Sequence, residues 1–334
     1  MKITASFRIL AYGLPPDAMD DYLSISETTA REAVKRFCRA VVETLGPKYL
    51  RNPTLAEVER LLKDAEKRGM PGLLGSIDCS KWTWKNCPTA WHGQFKGKEK
   101  TPTVTLEAIC DRSLWIWHAF FGMPGSLNDI NVFEASPIIN KIASGVFPPP
   151  CEYRIGGVRR NKPFWFSDGI YPRAPFFISS IAEPTTMKQK LFASIQEAIR
   201  KDIERAFGVL QGKFNIISRP SKFFTIETMA DFMRCSIILH NMCVEEREAL
   251  RMDVDEEEND YIVVGGGVPA MWCGLDRMNG TSTIATETGS LAALCEAREF
   301  ADDVAEHVRT KQLLMDHLWV RQGERFCDTQ ENLE

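Results

Sequence analysis

The sequence contains no long hydrophobic run, even though 44% of its 334 residues are hydrophobic. No uninterrupted apolar segment approaches the roughly 18 residues that a membrane-spanning helix requires. The start of the chain, up to Leu10, lacks an apolar core followed by a small-residue cleavage site. We therefore expect an intracellular protein with no membrane partner, long enough for one large domain or two small ones.

Paired metal-binding cysteines are absent as well. The 10 cysteines are scattered through apolar runs, and no two of them form a Cys-x-x-Cys pair. This distribution favours reduced, mostly buried thiols over a disulfide framework. Cys79, Cys87 and His92 come nearest to a zinc site, but a fourth ligand is missing. The sequence therefore disfavours a structural zinc ion.

Net positive charge is also missing, since the formal net charge is −4. The charge is nevertheless segregated along the chain. Residues 71–222 carry 20 basic and 12 acidic side chains, whereas residues 223–334 carry 9 and 23. A basic central segment suits a polyanionic substrate, because phosphate contacts supply most of the sequence-independent affinity for nucleic acid. The alternative is that the excess charge only covers a solvated surface.

Three acidic residues are the most informative feature that is present. Asp78 and Asp168 each follow a short apolar run that predicts a buried strand, with the first strand ending at Asp78. Glu204 lies in a helical pattern, with 35 residues separating it from Asp168. Carboxylates gathered from two strand ends and one helix would repel one another unless divalent cations held them. The arrangement predicts two-metal phosphodiester chemistry with two Mg²⁺ or Mn²⁺ ions.

Glu204 also has a purely structural interpretation. It lies at the edge of an apolar helical stripe, and Arg200 precedes it by four residues. Arginine and glutamate at this spacing form ion pairs on helix surfaces. The presence of Asp78 and Asp168 favours the catalytic interpretation over the ion pair.

Longer blocks of sequence surround these acids. The blocks are Met70-Pro-Gly-Leu-Leu-Gly-Ser-Ile-Asp-Cys79, Trp82–Trp91, Trp115–Asn131, Asp168–Pro172, Asp202–Leu210 and Ile237–Met242. Together they resemble the nuclease of PIF/Harbinger-type DNA transposases, over most of the chain. The resemblance implies an α/β, ribonuclease H-like catalytic domain with a mixed sheet flanked by helices. It also implies Mg²⁺-dependent cleavage and joining of DNA strands, with Asp78, Asp168 and Glu204 as catalytic metal ligands.

The same resemblance implies several partners. They are the terminal repeats of a transposon, its target DNA, a Myb-like protein and, in the active state, further copies of the chain. It implies a nuclear location too, although the basic cluster Arg159-Arg160-Asn-Lys162 is too short to be an import signal.

Asp129 is another candidate for a catalytic residue. It follows Ser126-Leu-Asn at the predicted start of a helix, where an aspartate commonly caps backbone N–H groups. Sequences of the resembled family also carry an acid here, but the ribonuclease H topology places the second metal ligand by the fourth strand. Asp168 fits that place, so we expect Asp129 to be a supporting residue.

The N-terminal region, residues 1–69, predicts helices with a short break at Ser24-Ile-Ser26. Such a break is typical of a helix-turn-helix, whose second helix enters the major groove of DNA. The residues placed to read DNA are Thr28, Thr29, Arg31 and Lys35. A helical bundle that only packs on the nuclease is equally compatible with the spacing, and the family resemblance favours DNA binding.

A second set of basic residues follows Asp78. The lysines are Lys81, Lys85, Lys96, Lys98 and Lys100, and the first of them alternate with Trp82, Trp84 and Trp91. Lysines hold phosphates and aromatic rings stack on bases, so the segment is a candidate DNA contact. Aromatic residues near a strand are more often part of the core.

The boundaries of the remaining segments follow from changes in amino-acid composition along the chain. We expect the nuclease domain over residues 70–251, an acidic and glycine-rich linker over 252–290, and a helical tail over 291–334. Compared with the resembled family, the chain looks abbreviated before its first helix. Two functions stay open: an active transposase nuclease, or a domesticated relative that binds DNA or chromatin with cleavage reduced or lost. A metal-dependent phosphohydrolase acting on other substrates is a weaker third.

Overall fold

The computed structural model describes residues 1–252 and 304–331. Its N-terminal part is helical. The helices there are α1 (Lys2–Tyr12), α2 (Ala18–Leu23), α3 (Glu27–Tyr49) and α4 (Leu55–Lys67). The break before α3 lies where the sequence predicts it, because Ser24 adopts a left-handed conformation with φ of 50°. The side chain of Ser26 then caps α3 by accepting the backbone N–H of Thr29 at 3.4 Å.

A mixed five-stranded sheet forms the centre of the molecule. Its strands in chain order are β1 (Leu73–Thr83), β2 (Thr103–Cys110), β3 (Ile116–Pro124), β6 (Phe164–Ser167) and β7 (Phe177–Ser179). Between β3 and β6 in the chain, the strands β4 (Tyr153–Ile155) and β5 (Val158–Arg160) form a separate hairpin. The order across the sheet is β3-β2-β1-β6-β7. The first three strands are antiparallel neighbours, and β6 and β7 run parallel to β1. This α/β arrangement is consistent with the ribonuclease H-like fold that the sequence implies.

Helices flank the sheet and follow its strands. They are α5 (His92–Phe95), α6 (Asp129–Ala135), α7 (Ile138–Ala143), α8 (Met187–Lys213), α9 (Asn215–Ser218), α10 (Ile226–Met252) and α11 (Val304–Glu331). Among the described residues, no helix is long and apolar enough to cross a membrane. The long helix α8 packs directly on β1, and this contact places Glu204 near Asp78.

The first strand does not end at Asp78, as the sequence analysis expected. It continues to Thr83, and Asp78 lies in its middle opposite Ala108 of β2. The polar residues after Asp78 suggested a loop, but their backbone groups are satisfied by antiparallel pairing with β2, up to the pair Thr83 and Thr103. Asp78 therefore sits on a strand that is held on both sides, by β2 and by β6.

The N-terminal helices share a hydrophobic core with the sheet. Buried residues of α1 and α3, such as Leu10 and Val34, belong to the same cluster as Leu106 of β2 and Ile203 of α8. The helix α3 lies against α10, and α10 in turn packs on β3. In this structure the N-terminal helices are thus packed on the α/β core.

Asn241 of α10 connects three parts of this assembly. Its Oδ1 accepts the backbone N–H of Ile116 at 2.9 Å, and its Nδ2 donates to the Ile116 carbonyl at 2.8 Å. The same Nδ2 donates to the carbonyl of Tyr49, at the end of α3, at 2.7 Å. Because β3 is an edge strand, these bonds satisfy backbone groups that a neighbouring strand would otherwise pair.

The C-terminal helix α11 packs on the β4–β5 hairpin, on β7 and on α8. Arg160 of β5, from the basic cluster noted above, donates to the hydroxyl of Thr310 at 2.6 Å and pairs with Glu306. The helix agrees with the helical tail expected near the end of the chain. The expected acidic linker, 252–290, lies outside the described residues except for its first residue.

Candidate active site

Asp78 lies on β1, and Asp168 directly follows β6, the strand that runs parallel to β1. Ser76 of β1 pairs with Phe166 of β6, and two residues further along each strand come Asp78 and Asp168. Because side chains alternate along a strand, positions two apart point to the same face of the sheet. Asp168 follows the last residue of β6 and is exposed, whereas the side chain of Asp78 is 17% exposed. The sequence prediction of an aspartate at the end of a buried strand is correct for Asp168.

Glu204 lies on the helix α8, and the side chain of Arg200 joins its carboxylate to that of Asp78. Arg200 lies one helical turn before Glu204, and its Nη2 is 3.0 Å from Glu204 Oε1. Its Nη1 is 3.0 Å from Asp78 Oδ2. The ion pair that the sequence offered as a structural alternative for Glu204 is therefore formed, but Arg200 shares it with Asp78, 122 residues away in the chain.

The electrostatics of Asp78 reflect a crowded acidic site. Burial raises the pKa of Asp78 to about 6, although the Cys79 N–H and the charge of Arg200 both act to lower it. The negative charges of Asp129 and Glu204 add to the rise of this pKa. A carboxyl group whose neighbours oppose its ionisation is typical of a functional site, and a cation bound there would favour the ionised form.

Asp129 belongs to the same electrostatic group, but it is not the cap of its helix. Asn128 is the N-cap of α6, with its Oδ1 accepting the N–H of Asn131 at 3.1 Å. Burial is the main cause that raises the pKa of Asp129, Lys81 lowers it and Asp168 raises it further. Asp129 thus has no capping role that would account for its presence beside the two other aspartates.

The acids are not arranged as metal ligands in this structure. Among the described residues, no group of three or more His, Cys, Asp or Glu side chains could hold a metal ion. The reason is visible in their partners: Asp78 and Glu204 face Arg200, and the carboxylate of Asp168 accepts the N–H of Gly169. The donor set nevertheless fits a hard divalent cation, because it consists of carboxylate oxygens and already holds a positive charge between two of them.

The lysines follow Asp78 in the chain, on β1 and in the segment between β1 and β2. Lys85, Lys96, Lys98 and Lys100 are exposed, and Lys81 is half-buried, which lowers the pKa of its ammonium group to about 8. The loop with Lys96 and Lys98 packs tightly on the loop that leads to Asp129. A Cβ atom at Gly97 would lie 1.7 Å from the carbonyl oxygen of Gly125, so only glycine permits this approach.

The aromatic residues of this segment are mostly core. The indole N–H of Trp82 donates to the carbonyl of Arg219 at 2.7 Å, and that of Trp84 donates to the carbonyl of Phe223 at 2.7 Å. Both rings are almost fully buried and are not accessible to bases, whereas Trp91 is 44% exposed and stacks on Phe95. Base stacking by Trp82 and Trp84 is therefore excluded by their burial.

His118 and His240 are buried and have partners within the fold. His118 lies 3.2 Å from a carboxylate oxygen of the buried Glu107, and His240 lies 2.8 Å from the carbonyl oxygen of Leu114. The His92 ring lies 3.0 Å from the carbonyl oxygen of Cys87.

The predicted DNA-reading residues of α3 form a polar surface. Thr28, Thr29 and Arg31 are exposed and Lys35 is half-buried. Val34 and Val41 face the core, as the helical spacing predicts. Arg31 forms an ion pair with Glu27 on the same helix and remains exposed to solvent.

Sequence reasoning missed the double role of Arg200 and the anchoring role of Asn241. The spacing of Arg200 and Glu204 signals a local ion pair, but nothing in the sequence indicates that α8 also brings Arg200 to Asp78. Asn241 stands in the block Ile237–Met242 that carried the family resemblance, and that block gave no hint of a structural function.

The mixed five-stranded sheet flanked by helices is consistent with a ribonuclease H-like fold, the fold that the resemblance to transposase nucleases implies. Residues 47–251 match the family model described as "Plant transposon protein". The chain therefore belongs to this Harbinger-type family of transposase proteins. The sequence comparison agrees with the resemblance inferred from the motifs.

Two curated relatives are similar over the same part of the chain. The rat protein named "Putative nuclease HARBI1" is 21% identical over 248 residues, which cover 73% of this chain and 67% of the relative. The Arabidopsis thaliana protein named "Protein ALP1-like" is 20% identical over 248 residues, which cover 73% of this chain and 60% of the relative. No solved structure matches the chain significantly.

Proposed function

We propose that this protein is a metal-dependent DNA endonuclease that cleaves and joins DNA strands at transposon ends. The observation that supports the proposal most is that the Arg200 guanidinium joins Asp78 of β1 to Glu204 of α8, while Asp168 directly follows β6, the strand that pairs with β1. Bound there, two Mg²⁺ or Mn²⁺ ions would activate the attacking oxygen and stabilise the leaving oxygen of a phosphodiester.

Each acid has a distinct part in this proposal. Asp78, on a strand held from both sides, is the fixed ligand, and Asp168 and Glu204 complete the site from the exposed side. Asp129 supports the site through its charge and its contact with Cys79. In this proposal Lys81 and the exposed lysines after it hold the phosphates of a DNA strand, and the charge of Lys81 already acts on Asp129.

A nicking assay tests this proposal. Supercoiled plasmid DNA is incubated with the protein and Mg²⁺ or Mn²⁺, and open circles are counted over time. We expect nicking that stops when EDTA removes the metal. DNA binding without nicking at any metal concentration would favour the alternative, a domesticated DNA- or chromatin-binding relative.

The partners of the protein are further proposals that rest on the family resemblance. We propose that the active form is a homo-oligomer in the nucleus, that it binds terminal repeats and target DNA, and that a Myb-like protein assists it. The family resemblance supports these partners. Chromatin immunoprecipitation together with size-exclusion chromatography in the presence of DNA would test them.

Replacing Lys96, Lys98 and Lys100 together with glutamine is expected to weaken the salt dependence of DNA binding. Each lost phosphate contact reduces the slope of log K against log[salt] by about 0.9, so the slope should fall by about 2 to 3. Fluorescence anisotropy with a labelled duplex at several salt concentrations measures this slope.

The control for this triple variant removes exposed lysines elsewhere. Lys63→Gln with Lys67→Gln on α4 should leave the slope unchanged, because no candidate site residue lies on that helix. Binding by the wild-type protein that hardly changes between low and physiological salt would contradict a phosphate-dominated site.

Arg31→Ala is expected to weaken binding to the cognate terminal sequence by about 10- to 100-fold, if Arg31 contacts a base edge in the major groove. Nicking of non-specific DNA should be unchanged, because Arg31 lies on α3 and is not one of the proposed metal ligands. Competition binding with cognate and unrelated duplexes measures the effect.

Arg36→Ala provides a matched control. Arg36 pairs with Glu32 at 2.9 Å, just as Arg31 pairs with Glu27, but it lies further from the start of α3. Equal effects of the two substitutions, or no effect of Arg31→Ala, would identify the helical region as a packing bundle without a reading function.

A further inference from the structure

Arg200 occupies the place in which the proposed function puts a cation. Its two terminal nitrogens are each 3.0 Å from a carboxylate oxygen, one of Asp78 and one of Glu204. The side chain of Arg200 is only 22% exposed, so water screens these contacts less than it screens a surface pair. A planar guanidinium suits this task, because its rigid fork can contact two carboxylates at once.

A divalent cation cannot bind Asp78 and Glu204 through the same oxygens while Arg200 bonds them. We propose that Arg200 is an internal counter-ion that closes the acidic site and must be displaced before a divalent cation binds. The inference rests on the proposed function. It adds that Arg200 stabilises the carboxylates of Asp78 and Glu204 in the metal-free protein. The affinity for a divalent cation is then set by competition between the cation and the guanidinium of Arg200.

The positions of the two acids do not depend on Arg200. The helix α8 packs on β1, and its residues Ile199 and Ile203 are buried. The hydroxyl of Ser76 also donates to the carbonyl of Ile199 at 3.3 Å, which ties α8 to β1 next to both Asp78 and Arg200. Removing the guanidinium should therefore free the carboxylates without moving the backbone that carries them.

The test is the affinity of the metal itself for variants of the full chain. Mn²⁺ binding is measured by calorimetry and by the electron paramagnetic resonance signal of free Mn²⁺, without DNA. Arg200→Gln should bind Mn²⁺ at least about tenfold more tightly than the wild type, because binding no longer breaks two charge-assisted hydrogen bonds. Its metal-free form should melt at a lower temperature, and Mn²⁺ should raise its melting temperature more than that of the wild type.

Lys201→Gln separates competition from the general loss of a positive charge. Lys201 is the next residue of α8, is exposed and forms no ion pair within the described part of the chain. This variant should bind Mn²⁺ within about twofold of the wild type, since exposed charges are screened by solvent and salt. Arg200→Lys is a second variant that keeps the charge but loses the fork, and we expect an affinity between those of the wild type and Arg200→Gln.

The outcomes separate this inference from the proposed function. Equal Mn²⁺ affinity in the wild type and Arg200→Gln, or weaker binding by the variant, would overturn the counter-ion role and leave the metal site standing. Equal tightening in Arg200→Gln and Lys201→Gln would also overturn it, because charge alone would then explain the effect. No Mn²⁺ binding by any of the proteins would overturn the metal site and this inference together.

Discussion

Asp78→Asn is expected to abolish metal-dependent nicking, with a fall in rate of at least about 10³-fold. The substitution keeps the shape of the side chain but removes the negative charge that a divalent cation needs. A cation at a reacting phosphate contributes several kcal/mol of transition-state stabilisation, and each 1.36 kcal/mol corresponds to about tenfold in rate. Single-turnover nicking of supercoiled DNA under saturating Mg²⁺ measures the effect.

Loss of the fold should not explain this loss of activity. Burial already opposes the ionised form of Asp78, so a neutral amide in its place is not expected to lower the melting temperature strongly. Asp64→Asn, the same change on the surface of α4, should keep wild-type activity. Nicking by Asp78→Asn at a rate close to that of Asp64→Asn would remove Asp78 from the site.

Glu204 allows a comparison within one helix. Glu204→Gln should lose nicking as Asp78→Asn does, whereas Glu197→Gln, two turns earlier on α8, should retain it. Asp168→Asn is expected to behave like Glu204→Gln, because Asp168 lies beside Asp78 on the neighbouring strand. Retained nicking in one of these variants would remove that residue from the site without removing the others.

Asn241→Ala is expected to cause the largest loss of stability among these variants, about 3 to 5 kcal/mol of the free energy of unfolding. It would leave the N–H and carbonyl of Ile116 and the carbonyl of Tyr49 without their buried partner. Each buried unsatisfied group costs about 1 to 3 kcal/mol, and the removed atoms leave a small cavity. Equilibrium unfolding in urea measures the difference.

Asn131→Ala is the matched control for this variant. Asn131 is also a helical asparagine, but it is exposed on α6. Surface substitutions of this kind usually change stability by less than about 0.5 kcal/mol. A similar small effect of Asn241→Ala would mean that water or another group replaces the three bonds, and that α10 does not depend on Asn241 for its place on β3.

The elements that the sequence predicted well are those with a local pattern. The apolar run before Asp168 is β6, and the apolar stripe around Glu204 is α8, because burial of one face imposes a regular spacing on the residues of each element. The cap at Ser26 was also predictable, since a serine before a helical pattern satisfies free backbone N–H groups.

The structural features that could not be predicted from the sequence depend on contacts between distant segments of the chain. The extension of β1 beyond Asp78 results from its pairing with β2, which a run of polar residues does not reveal. The second contact of Arg200 requires α8 to lie on β1, and the role of Asn241 requires an unpaired strand edge beside α10. Local propensity carries no information about either neighbour.

Crystals of the protein soaked in Mn²⁺ would test most directly whether Asp78, Asp168 and Glu204 hold the catalytic metal. Anomalous diffraction locates manganese independently of any assumption about its ligands. We expect anomalous density between the three carboxylates, with the guanidinium of Arg200 moved away from Asp78 and Glu204. Crystals that bind no manganese at this edge, with Arg200 still joining Asp78 to Glu204 at high Mn²⁺ concentration, would contradict the metal-dependent nuclease proposed here.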